Sequence, residues 1–207
     1  MSQPDFDSRA ATWDEDPLKV TRATQIADAI AAQVPLSPRM RALEYGCGTG
    51  LVSFALADRL GDMTLTDSAR GMLDVVDGKI ARAAARADGR SITSARLDLT
   101  TDPLPAERFD LIHSAMTLHH VPDTDALLRQ FHALLAPGGF LCIADLDAED
   151  GSFHGADVDV HHGFDRAVLS ERLQAAGLEV EGFTTAASIA RGEDRFSVFL
   201  AVARRSA

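Results

Sequence analysis

A glycine-rich loop between a strand-like run and a helical run constrains the fold of this chain more than any other feature. The loop follows the apolar run 40–45, precedes a helical pattern from Leu51, and consists of Gly46-Cys47-Gly48-Thr49-Gly50. Glycine lets the backbone turn tightly and lets a ligand approach the main chain closely. The free N–H groups at the start of the following helix then face an anion or a carboxylate. The loop therefore predicts an α/β unit with a ligand site at its turn.

Strand-like and helical segments alternate from residue 40 to residue 177. Seven segments have the apolar content of strands: 40–45, 63–66, 92–97, 109–114, 140–144, 178–181 and 196–203. Such alternation predicts a doubly wound α/β fold, with a mostly parallel sheet and helices on both faces. Only a loop of about a dozen residues separates the last two strands, so we expect them to pair antiparallel at one edge.

The length suits one domain with a sizeable core, and we expect a single domain over residues 1–207. Two parts fall outside the alternation: an N-terminal cap segment, 1–38, and a connection rich in Gly, Asp and His, 146–163. An apolar stripe at helical spacing predicts a helix in the cap segment, formed by Val20, Ala23, Ala27, Ile30, Ala31 and Val34. Pro35 follows the stripe and ends the helix.

Charge and composition exclude several classes of protein. Lys and Arg number 20 against 31 Asp and Glu, and the net charge of −11 repels a nucleic-acid backbone. No apolar run approaches the roughly 18 residues that span a bilayer, and we see no signal peptide. Cys47 and Cys142 make neither a disulfide framework nor a cysteine-based zinc site. We expect a cytoplasmic monomer or homodimer that binds neither nucleic acid nor membrane.

An acidic residue accompanies the glycine loop. Asp67 ends the second predicted strand, 17 residues after Gly50, and the carboxyl ends of parallel strands share one edge of a sheet. A carboxylate in that place can accept both hydroxyls of a ribose. Together these features favour an adenosine-type nucleotide or nucleoside. The alternative is a structural turn beside a solvent-exposed aspartate.

Common dinucleotide and phosphate motifs do not fit the loop. The G-x-G-x-x-G fingerprint meets Leu51 when it starts at Gly46 and Ser53 when it starts at Gly48. Tyr45 is the only tyrosine, so the Tyr-x-x-x-Lys pair of a short-chain dehydrogenase is missing, and no Gly-Lys-Ser/Thr sequence occurs. A nicotinamide-dependent oxidoreductase is therefore a disfavoured alternative.

Four motifs in order resemble the class I S-adenosylmethionine-dependent methyltransferases of the small-molecule, methyltransferase type 11-like branch. They cover about residues 40–145 and are Leu43-Glu44-Tyr45-Gly46-Cys47-Gly48-Thr49-Gly50, Asp67-Ser68-Ala69-Arg70-Gly71-Met72-Leu73, Phe109-Asp110-Leu111-Ile112 with Leu118-His119-His120-Val121-Pro122-Asp123, and Leu134-Leu135-Ala136-Pro137-Gly138-Gly139. The resemblance implies a Rossmann-like sheet of seven strands with an antiparallel last hairpin. It also implies in-line transfer of a methyl group from S-adenosylmethionine to a small-molecule acceptor, with S-adenosylhomocysteine as the product.

The resemblance assigns each part of the cofactor to residues of these motifs. The methionine part falls to Glu44 and to the loop backbone of Gly46, Cys47, Gly48, Thr49 and Gly50. Asp67 takes the ribose hydroxyls. The adenine contacts are Ser68, Met72, Asp98 and the backbone of Leu99, and the residues near the sulfonium are Ser114 and Ala115. The chain departs from the family pattern after Asp98, where Leu99-Thr100-Thr101 replaces the usual Ala and acidic run.

Two residues of the cap segment are further candidates for cofactor binding. In related enzymes this segment closes over the cofactor, which implies a lid role for Trp13; core packing is the alternative. Arg22 can pair with the cofactor carboxylate, or else it is a solvated charge.

Most of the histidines fall near the predicted site. His119 and His120 follow the fourth strand, and the connection after the fifth strand holds His154, His161, His162, Asp157 and Asp159. Our candidates for a general base or an acceptor contact are His119, His120, His154 and His162. The alternatives are histidines that hold their loop and a connection satisfied by its own hydrogen bonds. The spacing matches no standard ligand pattern, so we predict no metal site.

Two other functions share this scaffold. One is an S-adenosylmethionine-binding protein that transfers no methyl group. The other is a silent partner subunit that stabilises another enzyme. Turnover to S-adenosylhomocysteine with some acceptor distinguishes a transferase from both.

Overall fold

The computed structural model describes residues 6–83, 89–155 and 158–207. The strands are β1 (Ala42–Tyr45), β2 (Met63–Asp67), β3 (Ile92–Arg96), β4 (Phe109–Ala115), β5 (Leu135–Leu146), β6 (Leu178–Arg191) and β7 (Asp194–Arg205). The α-helices are α1 (Phe6–Arg9), α2 (Pro17–Gln33), α3 (Leu51–Leu56), α4 (Arg70–Ala83), α5 (Thr124–Leu134) and α6 (Arg166–Ala175). Short 3₁₀ helices cover Ala10–Glu15 and Leu118–His120.

All seven strands of the described chain belong to one sheet, in the order β3-β2-β1-β4-β5-β7-β6. Strands β1 to β5 run parallel, and β7 runs antiparallel to both of its neighbours, β5 and β6. The predicted fold class, a doubly wound Rossmann-like sheet with an antiparallel last hairpin, is thus confirmed. The strand order reverses between β1 and β4. Ligands of such sheets bind at this switch point, beyond the carboxyl ends of the strands.

Helices cover both faces of the sheet and bury two apolar layers. On one face, α2 and α3 contribute Ile30 and Leu56. On the other, α5 and α6 contribute Phe131 and Leu173. Every residue of β1 is buried, as expected of a central strand in a parallel sheet. Among the described residues, none of these helices has the length and apolar content needed to cross a membrane.

The last hairpin is longer than the sequence predicted. We expected strands 178–181 and 196–203 with a loop of about a dozen residues between them, but β6 and β7 continue to a tight turn at Gly192. Gly192 has a φ of 59°, which is the left-handed conformation that such turns use. The register of β6 on β7 shifts twice, before Gly182 and before Ala187. These shifts break the alternation of apolar and polar residues, which is why the sequence pattern missed most of β6.

Two further boundaries differ from the prediction. β5 begins at Leu135 rather than at residue 140, because Leu135 already pairs with Phe109 before a register shift. Val20 is 37% exposed, so the buried stripe of α2 is narrower than predicted. The buried residues of α2 are Ala23, Ile26, Ala27 and Ile30.

Candidate active site

The glycine loop, residues 46–50, connects β1 to α3 with three glycines in the left-handed conformation. Gly46, Gly48 and Gly50 have φ angles of 68°, 53° and 79°, a region that other residues rarely adopt. A Cβ on Gly46 would collide with the Thr117 side chain, and a Cβ on Gly50 would lie 2.9 Å from Leu65 Cδ2. A Cβ on Gly48 would meet no described atom within 4 Å. The loop is packed tightly at its two ends and leaves room beside its middle glycine.

The Asp67 carboxylate is hydrogen-bonded to the glycine loop. Its Oδ2 accepts from the Gly48 N–H at 2.8 Å, and its Oδ1 accepts from the Ala69 N–H at 2.8 Å. The Cys47 N–H also donates to the Thr66 carbonyl at 2.8 Å, so the loop is tied to β2 at two points. Burial raises the pKa of Asp67, and its backbone hydrogen bonds oppose the rise. The predicted proximity of Asp67 to the loop is confirmed.

Glu44 on β1 is a buried carboxyl group next to the loop, with 2% of its surface exposed. Its Oε2 has no hydrogen-bond partner among the described residues, and its Oε1 lies 3.8 Å from Nδ1 of the buried His113 on β4. Burial raises the pKa of Glu44 to about 8, although hydrogen bonds from Ser53 to this carboxyl group oppose the rise, and burial lowers the pKa of His113 to about 4. Both groups are therefore neutral around pH 6. A cationic ligand would give the unpartnered oxygen a donor and would favour the ionised carboxylate.

The residues predicted to surround an adenine lie after β2 and β3, at the same edge of the sheet. Asp98 Oδ1 accepts from the Thr100 N–H at 2.9 Å and from the Thr100 hydroxyl at 2.6 Å. Met72 and Leu99 are buried, whereas Ser68 is exposed. One oxygen of Asp98 is thus committed to the turn that follows β3.

Two hydroxyl groups tie the end of β4 to the glycine loop. Ser114 donates to a carbonyl of β1 at 2.8 Å, and Thr117 donates to the Gly46 carbonyl at 3.2 Å. Met116 lies between them and has a φ of 55°. It is the one non-glycine residue of the described chain with a positive φ. Strained backbone of this kind concentrates at functional sites. Ser114 and Ala115 were predicted here, but no sequence signal marks Met116 or Thr117, because tertiary contacts create their geometry.

The segment Phe6–Glu15, which we call the strap, reaches both sides of this edge. Asp14 accepts from the Thr49 hydroxyl at 2.5 Å and forms an ion pair with Lys79 Nζ at 2.6 Å. The Phe6 ring lies 5.4 Å from the His120 ring. The strap therefore contacts the glycine loop at one end and the histidines at the other. A lid role for it stays a prediction.

Trp13 and Arg22, the two candidates of the cap segment, face other residues of the chain. Trp13 is half-buried in the strap, with Lys19 Nζ 3.9 Å from the ring centroid. Arg22 is half-buried on α2, where burial lowers its pKa, and the charges near it are Asp16 and Arg191. Cofactor contacts of both residues stay predictions.

Three of the four candidate catalytic histidines come together at the ends of β4 and β5. We call His119, His120 and His154 the histidine triad. Their ring centroids are 4.1 Å apart for His119 and His120, 4.9 Å for His119 and His154, and 5.5 Å for His120 and His154. One ring nitrogen of each lies within 4.8 Å of the others. Burial lowers the pKa of His120 to about 3 and of His154 to about 4, so both rings are neutral at physiological pH.

A fully buried carboxylate holds His119 of the triad in place. Asp145 Oδ1 lies 2.6 Å from His119 Nδ1, and Asp145 Oδ2 accepts from the His119 N–H at 3.2 Å. The Leu146 N–H donates to Asp145 Oδ1 at 2.7 Å, and the His161 N–H donates to the His119 carbonyl at 2.9 Å. His119 is thus fixed through both its ring and its backbone.

His162 does not join the triad, contrary to our grouping of it with the other catalytic candidates. Its ring is exposed and lies beside Gly151, and its carbonyl accepts from the Glu149 N–H at 2.9 Å. Its backbone therefore helps to hold the connection in shape, and a catalytic role for its ring stays a prediction. Asp157, which the sequence analysis grouped with these histidines, lies outside the described residues.

The chain matches a family model described as a methyltransferase domain over residues 19–182. That range is more than half of the 207 residues. It contains the glycine loop, Asp67 and the histidine triad.

Two curated relatives are similar to this chain. It is 29% identical over 158 residues to a ubiquinone biosynthesis O-methyltransferase of Marinobacter nauticus, an alignment that covers 70% of this chain and 66% of the relative. It is 30% identical over 139 residues to the 27-O-demethylrifamycin SV methyltransferase of Amycolatopsis mediterranei, with 64% and 48% covered. The chain thus spans about half to two thirds of the length of these relatives.

One solved structure shows the same fold. The N-methyltransferase NodS from Bradyrhizobium japonicum superposes with a TM-score of 0.68 at 23% identity, over 94% of this chain and 99% of that one. At this identity the likeness concerns the fold alone.

Proposed function

The chain belongs to the methyltransferase domain family, and from this premise we propose that it transfers a methyl group from S-adenosylmethionine to a small-molecule acceptor. The observation that carries the proposal is the glycine loop, which is held by Asp67 and lies next to the unpartnered carboxyl oxygen of Glu44. When bound, the cofactor supplies a methyl group on a positively charged sulfonium. Binding, orientation and exclusion of water fall to the residues of the chain.

Carboxyl groups suit both the charge and the hydroxyl groups of this ligand. Glu44 Oε2 accepts from the ammonium of the methionine part, which supplies the partner that this oxygen lacks. The open space beside Gly48 lets the ligand lie against the main chain. Asp67 accepts one backbone hydrogen bond on each oxygen and keeps lone pairs for the ribose hydroxyls. The charge of Asp67, and that of Glu44 once the bound ammonium has ionised it, also attract the sulfonium.

The remaining proposed contacts come from the same edge of the sheet and from the cap segment. They are Ser68, Met72, Asp98 and the Leu99 backbone with the adenine, Ser114 and Ala115 with the sulfonium, Arg22 with the cofactor carboxylate, and Trp13 as part of a lid over the cofactor. The buried Met72 offers an apolar wall to the adenine ring. The strap, already hydrogen-bonded to Thr49 through Asp14, closes over the ligand.

The acceptor lies on the side of the histidine triad. The names of the two curated relatives refer to ubiquinone biosynthesis and to a rifamycin, which supports a small-molecule acceptor. The nucleophilic atom of this acceptor binds next to the triad. In-line displacement needs that atom about 3–3.5 Å from the methyl carbon, with water excluded.

Calorimetric titration of the whole chain tests the cofactor assignment. We expect S-adenosylmethionine and S-adenosylhomocysteine to bind with micromolar affinity and NAD not to bind. Asp67→Ala removes two hydrogen bonds between the ribose and a charged group, each worth about 1.5–3 kcal/mol, so S-adenosylhomocysteine affinity falls by at least about 100-fold. Binding of NAD without binding of either S-adenosyl compound would overturn the proposal.

Asp62→Ala is the matched control. Asp62 directly precedes β2, at the opposite end of the strand from Asp67, and its carboxylate also accepts a backbone hydrogen bond, from the Ser91 N–H at 2.9 Å. This variant loses a comparable hydrogen bond but keeps its affinity for S-adenosylhomocysteine. Equal losses in the two variants would place the effect in folding rather than in ligand binding.

A further inference from the structure

Each ring of the histidine triad has a buried nitrogen without a hydrogen-bond partner in the described part of the chain. These atoms are His119 Nε2, His120 Nδ1 and His154 Nε2. A buried polar atom that stays unpaired costs about 1–3 kcal/mol, and such atoms in folded proteins generally have a partner. Three of them in one cluster indicate an occupant that pairs with ring nitrogens.

The buried Asp145 fixes which nitrogen of His119 carries the lone pair. It lies 2.6 Å from His119 Nδ1, so the ring proton lies on that atom and Nε2 is left as an acceptor. A carboxylate that holds the far nitrogen of a histidine is the usual second partner of a metal-binding histidine. Asp145 is 0% exposed and also accepts two backbone N–H groups, so its orientation is fixed before any ligand binds.

A second carboxyl group lies close to the triad. Glu149 Oε2 accepts from the N–H groups of Gly151 and Phe153, at 2.9 Å and 3.0 Å, and so shapes the turn that presents His154. Its Oε1 is buried and unpartnered among the described residues. The negative charge of Glu149 and the positive charge of Arg191 both act on His154, and the Glu149 carboxylate would balance part of the charge of a cation bound to the triad.

We propose that the histidine triad binds one divalent transition-metal ion, with Zn²⁺ as the best match. Three imidazole nitrogens with a fourth position left open form the donor set of catalytic zinc sites. Two nitrogens of a tetrahedral zinc site are about 3.3 Å apart, so ligand atoms within 4.8 Å of one another need only small rotations of the rings. The sequence predicted no metal site, because the fold, rather than a spaced motif, brings His154 beside His119 and His120.

The position of the ion next to the cofactor side suggests that it activates the acceptor. This catalytic role, unlike the metal site itself, rests on the proposed function. His120 contacts Phe6 of the strap, and Thr117 bonds the loop at Gly46, so the triad adjoins the cofactor side. An acceptor hydroxyl that binds the open position loses its proton to water more easily, since a bound cation stabilises the oxygen anion. The anion then attacks the methyl carbon while the bond between sulfur and methyl breaks.

Cobalt titration of the metal-stripped full chain, without a histidine tag, tests the site. We expect one Co²⁺ to bind with the visible absorption bands of tetrahedral or five-coordinate cobalt, and Zn²⁺ to displace it. The His154→Ala variant, which loses a half-buried triad ring, should not show the bands. The His162→Ala variant, which loses an exposed ring outside the triad, should retain them. Asp145→Asn weakens Zn²⁺ binding by about 10- to 100-fold through the orientation of His119.

Circular dichroism of each metal-stripped variant shows whether it folds. If Asp145→Asn fails to fold, the comparison of His154→Ala with His162→Ala still tests the site. No cobalt spectrum, or equal spectra in His154→Ala and His162→Ala, would overturn the metal site. S-adenosylhomocysteine titration of the same stripped protein separates the two proposals. Intact nucleoside binding without metal binding refutes only this inference, and the reverse result refutes only the proposed cofactor.

Discussion

The two sides of the active site satisfy their polar groups in different ways. On the carboxylate side, formed by Glu44, Asp67 and the glycine loop, Asp67 is bonded to the backbone of the loop it supports. On the histidine side, formed by the triad and Asp145, His119 is the one triad member with a ring nitrogen hydrogen-bonded to a described residue, and the other contacts within the triad are between rings. Within the described residues, the carboxylate side leaves one buried oxygen without a partner, Glu44 Oε2, whereas the triad leaves three buried ring nitrogens without partners.

The two sides also differ in whether local sequence or tertiary packing determines their geometry. The carboxylate side is a single strand, loop and helix joined to the neighbouring strand, so short-range sequence dictates it. The histidine side needs β4, β5 and the following connection to pack together before its groups meet. We therefore expect mutations on the carboxylate side to affect stability and cofactor affinity. Those on the histidine side affect acceptor chemistry and metal binding.

The largest expected effect is on the stability of the glycine loop. Gly46→Ala forces a side chain into the left-handed region, which costs about 1–3 kcal/mol, and collides with Thr117, which costs about 1–3 kcal/mol more. Gly192→Ala is the control, because Gly192 has a similar φ of 59° but nothing within 4 Å of an added Cβ. Urea unfolding should show a clearly larger loss for Gly46→Ala. Equal losses would mean that the loop is not tightly packed.

The next effect is a pH dependence of stability that arises from Glu44. The folded chain keeps this proton up to a pKa of about 8, whereas the unfolded value is 4.5, so stability falls as pH rises between them. His113 acts in the opposite sense below its unfolded pKa of 6.5, since its folded pKa is about 4. Between pH 6.5 and 8, Glu44 is the one of these two groups that still changes the free energy of unfolding. It lowers this free energy by at most about 1.4 kcal/mol per pH unit.

Chemical denaturation at several pH values checks this prediction. Glu44→Gln keeps the shape of the side chain and should flatten the decline between pH 6.5 and 8. Glu193→Gln, in the exposed hairpin turn, should leave the decline in place. A decline that persists in Glu44→Gln would assign the titration to another group.

The smallest effect concerns the strap. Asp14→Asn weakens the ion pair with Lys79, and a partly exposed pair of this kind contributes about 0.5–1 kcal/mol, so S-adenosylhomocysteine affinity falls about two- to fivefold. Trp13 reports the change, because the only tryptophan of the chain lies in the strap and its fluorescence should shift on ligand binding. The exposed neighbour Glu15→Gln serves as the control. Identical affinities in the two variants would show that the strap does not close on the ligand.

Sequence patterns predicted the carboxylate side well for a physical reason. Glycines that need a left-handed backbone and strands that bury every residue leave local signals, so β1, the glycine loop and Asp67 were all identified. The same applies to the antiparallel last hairpin, although its length was underestimated because register shifts break the alternation in β6.

The histidine side was predicted only in part, because its geometry depends on residues distant in the chain. The sequence identified His119, His120 and His154 as candidates, but it gave Asp145 no role and grouped His162 with them. Nothing local distinguishes a histidine that points into the site from one that faces solvent. The strain at Met116 likewise results from packing rather than from residue type.

A parallel titration of two variants with S-adenosylhomocysteine tests the division between the two sides most directly. Asp67→Ala should lose at least about 100-fold in affinity, while His154→Ala should stay within about twofold of the unmodified chain. This result would place the cofactor on the carboxylate side and leave the triad to the acceptor. Comparable losses in both variants, or unchanged binding in Asp67→Ala, would contradict the account.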